Sequence, residues 1–299
     1  MSRIHEALKK AEQERASGQG VPLDAQPLGE MPVAPNSSGM PGTSAAAPHY
    51  APQFTFETLL ARSTPASWQP DPRTMLFFQQ QEHAPGMEEF RTLRSRLYQM
   101  REKMPLKKLL ISSALPREGK SFVAANLAQV MVKQHGRRVL LIDADLRGPK
   151  LHECLGAPCQ LGLADYLMGQ VDEFSVVQRG PMENLFFIPA GSVVKTPAEL
   201  VANGRLKLLL SRLEAMFDWI IIDSPPAVPV SDSSLLANFC DGVLLVVRST
   251  VTPFDAARKA RLEFRDKQLV GVVLNGIDED SLRYTSYYYG YGQTEPAKN

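Results

Sequence analysis

The chain has 299 residues, 44% of them hydrophobic, enough to bury a substantial core in one large domain or two small ones; a wholly disordered or collagen-like polymer is excluded. Its 33 Lys and Arg residues balance 32 Asp and Glu to a formal net charge of +1, leaving no global field to draw the molecule onto nucleic acid or an anionic membrane. Three cysteines, Cys154, Cys159 and Cys240, form no C-x-x-C pair, which argues against a disulfide framework or a structural zinc site and fits a reducing cytoplasm.

In chain order, residues 2–16 carry Ile4, Ala7, Leu8 and Ala11 at helical spacing among mixed charges. This predicts a short amphipathic helix over 1–17, with an apolar face too thin for a membrane anchor and suited to docking on a partner. The start is charged throughout and lacks the apolar core of a secretion signal. Residues 18–73 read as a flexible linker, because 11 of the 23 prolines fall between Gly18 and Pro85, mixed with Gly, Ser and Ala.

From residue 74 the texture changes. Short apolar, often β-branched runs at 109–112, 138–143, 185–189, 219–223, 242–247 and 270–275 predict central strands, and 120–134, 204–217 and 254–267 predict helices between them. The apolar runs are far shorter than the roughly 18 residues that span a bilayer. Alternating strands and helices imply an α/β fold, a mostly parallel sheet covered on both faces, over residues 74–280. The last segment, 281–299, breaks the pattern and holds five of the eight tyrosines: Tyr284, Tyr287, Tyr288, Tyr289 and Tyr291. It reads as a flexible tail.

Three motifs carry chemistry. Ala114-x-x-x-x-Gly119-Lys120-Ser121, between a strand and a helix, has the Walker A spacing with Ala in place of the first Gly. The helix N-terminus offers unpaired N–H groups to phosphate, Lys120 reaches the β and γ oxygens, and Ser121 ligates magnesium. Next, Val139-Leu-Leu-Ile-Asp143-Ala-Asp145-Leu-Arg147 ends an apolar strand in two carboxylates on one side, fit to serve a metal and a proton acceptor. Third, Trp219-Ile-Ile-Ile-Asp223-Ser-Pro-Pro226 is a Walker B strand whose Asp holds magnesium through water. A lone strand-end Asp would read as a helix cap; three such motifs in order read as a P-loop NTPase-like site for ATP and Mg2+.

The joint pattern resembles the bacterial tyrosine kinases of polysaccharide-synthesis operons, over about residues 88–292. Glu88-Glu-Phe-Arg91-Thr-Leu-Arg94 is similar to the family's E-x-x-R-x-x-R helix, which implies that Glu88, Arg91 and Arg94 act in a ring-type homo-oligomer. The resemblance implies Lys120, Asp143 and Asp145 as catalytic, with Asp143 as base for the tyrosyl hydroxyl; two carboxylates so close are coupled, and the sequence leaves open which of Asp143 and Asp145 takes the proton. It further implies a nucleotide set of Glu118, Gly119, Lys120, Ser121, Phe122, Arg147 and Asn275, with Asn275 at the adenine, and a metal set of Ser121, Asp145 and Asp223. The tail tyrosines would be acceptors in trans, in control of exopolysaccharide polymerisation and export. Implied partners are a separate membrane-bound chain-length determinant acting as activator, which would recruit the cytoplasmic chain to the inner face of the plasma membrane, and a tyrosine phosphatase. A ParA/MinD-type positioning ATPase is the alternative, but Leu115 stands where those proteins carry a second lysine; an iron-sulfur carrier would need a C-terminal C-x-x-C. The basic run Arg258-Lys-Ala-Arg261 with Arg265 and Lys267 lacks interleaved aromatics and is not read as a nucleic-acid patch; the five histidines show no metal spacing.

Overall fold

The parallel centre of the molecule follows from apolar runs with no polar alternation, which only a sheet buried on both faces accommodates. In a computed structural model, which describes residues 54–78, 84–134 and 136–277, the strands are β1 (Thr64–Pro65), β2 (Lys108–Ser113), β3 (Val139–Asp143), β4 (Gln178–Arg179), β5 (Leu185–Ile188), β6 (Trp219–Asp223), β7 (Gly242–Arg248) and β8 (Leu269–Asn275). Their order is β1-β4-β5-β3-β6-β2-β7-β8, and every adjacent pair is parallel except β4 with β5. The six runs read from the sequence are thus six of these strands. The helix of 1–17, the tail of 281–299 and all the tail tyrosines lie outside the described residues.

Helices cover both faces. On one, Leu110, Leu140, Ile142, Ile220, Ile222 and Leu245 pack with Leu206, Leu209, Leu210 and Leu213 of α7. On the other, Leu109, Ile111, Leu141, Ile221 and Val246 pack with Leu97, Leu127 and Met131, carried by α2 and α3. The helices in chain order are α1 (Phe56–Arg62), α2 (Met87–Arg101), α3 (Lys120–Val132), α4 (Leu151–Leu155), α5 (Leu163–Leu167), α6 (Pro197–Ala202), α7 (Arg205–Leu213), α8 (Asp232–Ala237) and α9 (Phe254–Glu263). α3 is buried almost all round, because α2 and the segment 74–78 wrap its far side. Its polar Asn126 and Gln129 are wholly buried and satisfied there: Leu76 N–H donates to Asn126 Oδ1 at 2.9 Å and Phe77 N–H to Gln129 Oε1 at 3.1 Å.

The folded body begins earlier than the linker boundary at 73 expected from composition. Thr55 caps α1 by accepting Thr58 N–H at 3.3 Å, and Leu59 is fully buried. The Phe56 ring lies 4.0 Å beneath the Arg138 guanidinium, and Trp68 sits edge-on to Phe187 at 5.9 Å between centroids. β1 extends the sheet edge beside β4, where Pro65 is tolerated because an edge strand needs no donor on its open side. A window rich in Pro, Gly and Ser averages away these few large apolar residues, which decide the packing.

Candidate functional site

The site forms where β3 and β6 end level with one another and β2 runs two residues further into the loop before α3. β6 lies between β2 and β3, pairing Ile111 with Asp223 and Asp143 with Asp223 in register. Two carboxylates therefore stand side by side at the strand ends, and the loop from β2 into α3 crosses beside them. Gly119 caps α3 with φ of +94°, and a Cβ there would fall 2.0 Å from Asn275 Nδ2, so only glycine allows this close approach. The helix presents its first N–H groups at this end without a side-chain cap. Ala114, in place of the generic glycine, is fully buried, and its carbonyl accepts Val228 N–H at 3.3 Å.

Three buried carboxylates surround one ammonium. Lys120 Nζ meets Asp145 Oδ2 at 2.8 Å, Ser121 Oγ donates to Asp223 Oδ2 at 2.6 Å, and Asp143 accepts the N–H groups of Asp145 at 3.2 Å and Leu151 at 3.1 Å. Asp145 also accepts Gly148 N–H at 3.0 Å. Burial works to lower the Lys120 pKa, but Asp223, Asp145 and Asp143 together outweigh it and the net shift is upward. Burial first, then the Asp223 charge, pushes Asp143 well above the ordinary carboxylate range. Asp223 rises to about 6, again by burial, against the pull of Lys120 and the Ser121 hydrogen bond. Asp223 Oδ1 is buried without any hydrogen-bond partner.

A carboxylate oxygen orphaned in this way beside a serine hydroxyl suits a hard cation that keeps part of its own shell. Among the described residues no group of three His, Cys, Asp or Glu side chains has the geometry of a protein-only metal cage. The residues fit Mg2+ on the ground of the orphaned Asp223 oxygen and the Ser121 hydroxyl beside it, with phosphate and water completing the shell.

The other expected residues have these partners. Arg147 is engaged bidentately by Asp232, at 2.7 Å through Nε and 3.0 Å through Nη2, which joins the loop after β3 to α8. Phe122, half-buried, turns its ring toward Phe90 of α2, 5.8 Å between centroids, and packs against the core. Asn275 donates to Glu118 O at 2.9 Å. On α2, Glu88 and Arg91 pair at 3.1 Å on the surface, whereas Arg94 donates to the Val130 carbonyl at 3.0 Å. Asp232 and Thr252, whose hydroxyl donates to Glu118 Oε1, were not legible as site residues, because neither sits in a phosphate-loop motif.

These features define a P-loop nucleotide-binding domain of α/β type. The family model described as an AAA domain matches residues 117–254. Tyrosine-protein kinase YwqD of Bacillus subtilis is 35% identical over 206 residues, which are 68% of this chain and 86% of YwqD. The chain is 32% identical to tyrosine-protein kinase wzc of Salmonella typhimurium across 71% of its own length but 30% of the length of wzc. The kinase domain of the Escherichia coli tyrosine kinase ETK superposes with a TM-score of 0.62 at 28% identity, covering 76% of this chain and 94% of that domain. The chain belongs to the bacterial tyrosine-protein kinases. Among the described residues no helix is long and apolar enough to cross a membrane.

Proposed function

We propose that the chain is an ATP-dependent protein-tyrosine autokinase that phosphorylates Tyr284, Tyr287, Tyr288, Tyr289 and Tyr291 of a neighbouring copy and thereby regulates exopolysaccharide polymerisation and export. The observation that carries this reading is the cluster of Lys120, Asp143, Asp145 and Asp223 at the N-terminus of α3. Lys120 meets the β and γ phosphates, and the amides from Gly119 to Phe122 receive them. Ser121, Asp145 and Asp223 hold Mg2+, which when bound supplies charge neutralisation of the triphosphate. Asp143 accepts the tyrosyl proton as the tyrosine oxygen bonds to the γ-phosphorus and the bond to the bridging oxygen breaks, leaving ADP. The raised proton affinity of Asp143 supports this assignment over Asp145, one of whose oxygens Lys120 occupies.

Burial also supports the choice of acceptors. Tyr166 is 2% exposed, and the Tyr98 hydroxyl is buried without a partner, so neither offers its oxygen to another molecule. A separate membrane protein as activator, a phosphatase that resets the tail, recruitment to the inner membrane face and ring assembly through α2 complete the proposal. The positioning-ATPase alternative has no observation in its favour at the residue that distinguishes it, Leu115.

The test is incubation with Mg-ATP followed by phosphotyrosine mapping by mass spectrometry, with Lys120→Met in parallel. Phosphate within 284–291, lost by orders of magnitude in the variant, is the expected result. Phosphate mainly on Tyr50, Tyr98 or Tyr166, or labelling indifferent to Lys120, would overturn it.

A further inference from the structure

The phosphate loop carries two left-handed residues close together, Arg117 with φ of +65° and Gly119 with φ of +94°. A non-glycine residue there costs conformational energy, and a loop so shaped keeps its form only if neighbours hold it. Val228 N–H donates to the Ala114 carbonyl at the start of the loop, and the restraints on its left-handed part, at Arg117 and Glu118, come from the stretch where β7 leaves the sheet and β8 ends. Asn275 Nδ2 donates to the Glu118 carbonyl at 2.9 Å, and Arg248 Nη1 donates to the Arg117 carbonyl at 3.4 Å. Thr252 Oγ1 donates to Glu118 Oε1. The other carboxylate oxygen, Glu118 Oε2, accepts Leu115 N–H at 2.8 Å, so this 3% exposed side chain ties the start of the loop to its end.

Thr252 is itself fixed. Its oxygen accepts Arg248 N–H at 3.0 Å, and the turn between them passes through Thr250 at φ of +58°. The hydroxyl is thus used in both directions, toward the backbone of its own turn and toward the phosphate loop. A valine of the same shape would keep the packing and lose both bonds.

We propose that Thr252 is a positioning residue for ATP: through Glu118 it holds the phosphate loop in its nucleotide-ready shape before the nucleotide arrives. The inference rests on the nucleotide reading of the site. A loop ordered in advance spares the ligand the cost of ordering it, which lowers the free energy of ground state and transition state alike. Loss of the latch therefore acts on KM and leaves kcat nearly intact.

The experiment uses the full chain and compares the parent, Thr252→Val, Thr252→Ser and Glu118→Gln for fluorescent mant-ATP binding and for autophosphorylation kinetics. Thr252→Val should raise Kd and the KM for ATP about tenfold with kcat within twofold. Thr252→Ser, which keeps the hydroxyl, should return both to the parent values. The amides of Leu115, Arg117, Glu118 and Gly119 should exchange with deuterium faster in nucleotide-free Thr252→Val than in the parent. Glu118→Gln should raise KM in the same direction, which keeps the proposal testable if the valine variant does not fold. Parental KM in Thr252→Val, a fall in kcat at unchanged KM, or no rescue by serine would each overturn it. A parent that binds no mant-ATP would instead remove the nucleotide reading itself, and this inference with it.

Discussion

Asp223 shares the electrostatic cost of the site with Asp143. It is fully buried, leaves one oxygen without a partner, and has its pKa raised from 3.8 to about 6. A carboxylate with a raised folded-state pKa binds more protons in the folded chain than in the unfolded one across that interval, so the Asp223 contribution makes stability fall as pH rises from about 4 to about 6, and the raised Asp143 acts in the same direction. At roughly 1.36 kcal/mol for each pKa unit, the free chain forfeits about 3 kcal/mol above that window. Asp223→Asn removes the titrating group while leaving an acceptor for Ser121. It should raise the melting midpoint of the nucleotide-free protein at pH 8 by several degrees, weaken its dependence between pH 4 and 6, and abolish most kinase activity. A melting midpoint that drops at pH 8 by scanning calorimetry would contradict the account. The Asp-x-Asp spacing and the Walker A run were legible in sequence because the phosphate chemistry demands contiguous residues. Asp232 and Thr252 were not, since their partners Arg147 and Glu118 lie 85 and 134 positions away.

At the scale of elements, α2 divides the work that one motif appeared to share. The spacing of Glu88, Arg91 and Arg94 puts three charges on one helix, but the structure turns Arg94 inward to the Val130 carbonyl, one of the orphan acceptors in the last turn of α3. Only the Glu88–Arg91 pair faces solvent and is free to meet a neighbour. Arg94→Ala should therefore destabilise the isolated chain by about 1–2 kcal/mol in urea titrations. Glu88→Ala with Arg91→Ala should lower the particle mass in light scattering at nearly unchanged stability, since an exposed pair is worth little by itself. The strands were legible because their apolar runs are short and rich in β-branched residues, which separates them from buried helix segments. α1 was hidden, because its 7 residues lie inside proline-rich surroundings and its stability comes from packing rather than propensity. Leu59→Ala should cost about 2–4 kcal/mol by the same titration, as expected for a fully buried leucine and not for a residue in a linker.

At the scale of the whole molecule, the proposed reaction requires the phosphate site to reach tyrosines that follow β8, the last strand among the described residues. β8 is an edge strand and ends at Asn275, beside the phosphate loop that Asn275 clamps, so the chain leaves the sheet near its own site. The five tail tyrosines begin at Tyr284, nine residues further on. A tail bound in a neighbour's site would link subunits, and the exposed Glu88–Arg91 face of α2 would add a second contact. Each phosphotyrosine adds about −1.5 to −2 charges at neutral pH. The site it must leave already holds three carboxylates against one lysine, so a phosphorylated tail is repelled by the centre that made it. Phosphorylation should therefore dissolve the assembly, and a phosphatase should restore it. The phosphorylated parent should elute later than the dephosphorylated form in size-exclusion chromatography, and the difference should shrink as salt screens the repulsion. A variant with Phe at all five tail positions should bind mant-ATP like the parent, stay assembled after incubation with Mg-ATP, and yield almost no phosphotyrosine. An assembly of constant size across the phosphorylated, dephosphorylated and Phe-substituted forms would separate phosphorylation from oligomer state and rule out this cycle.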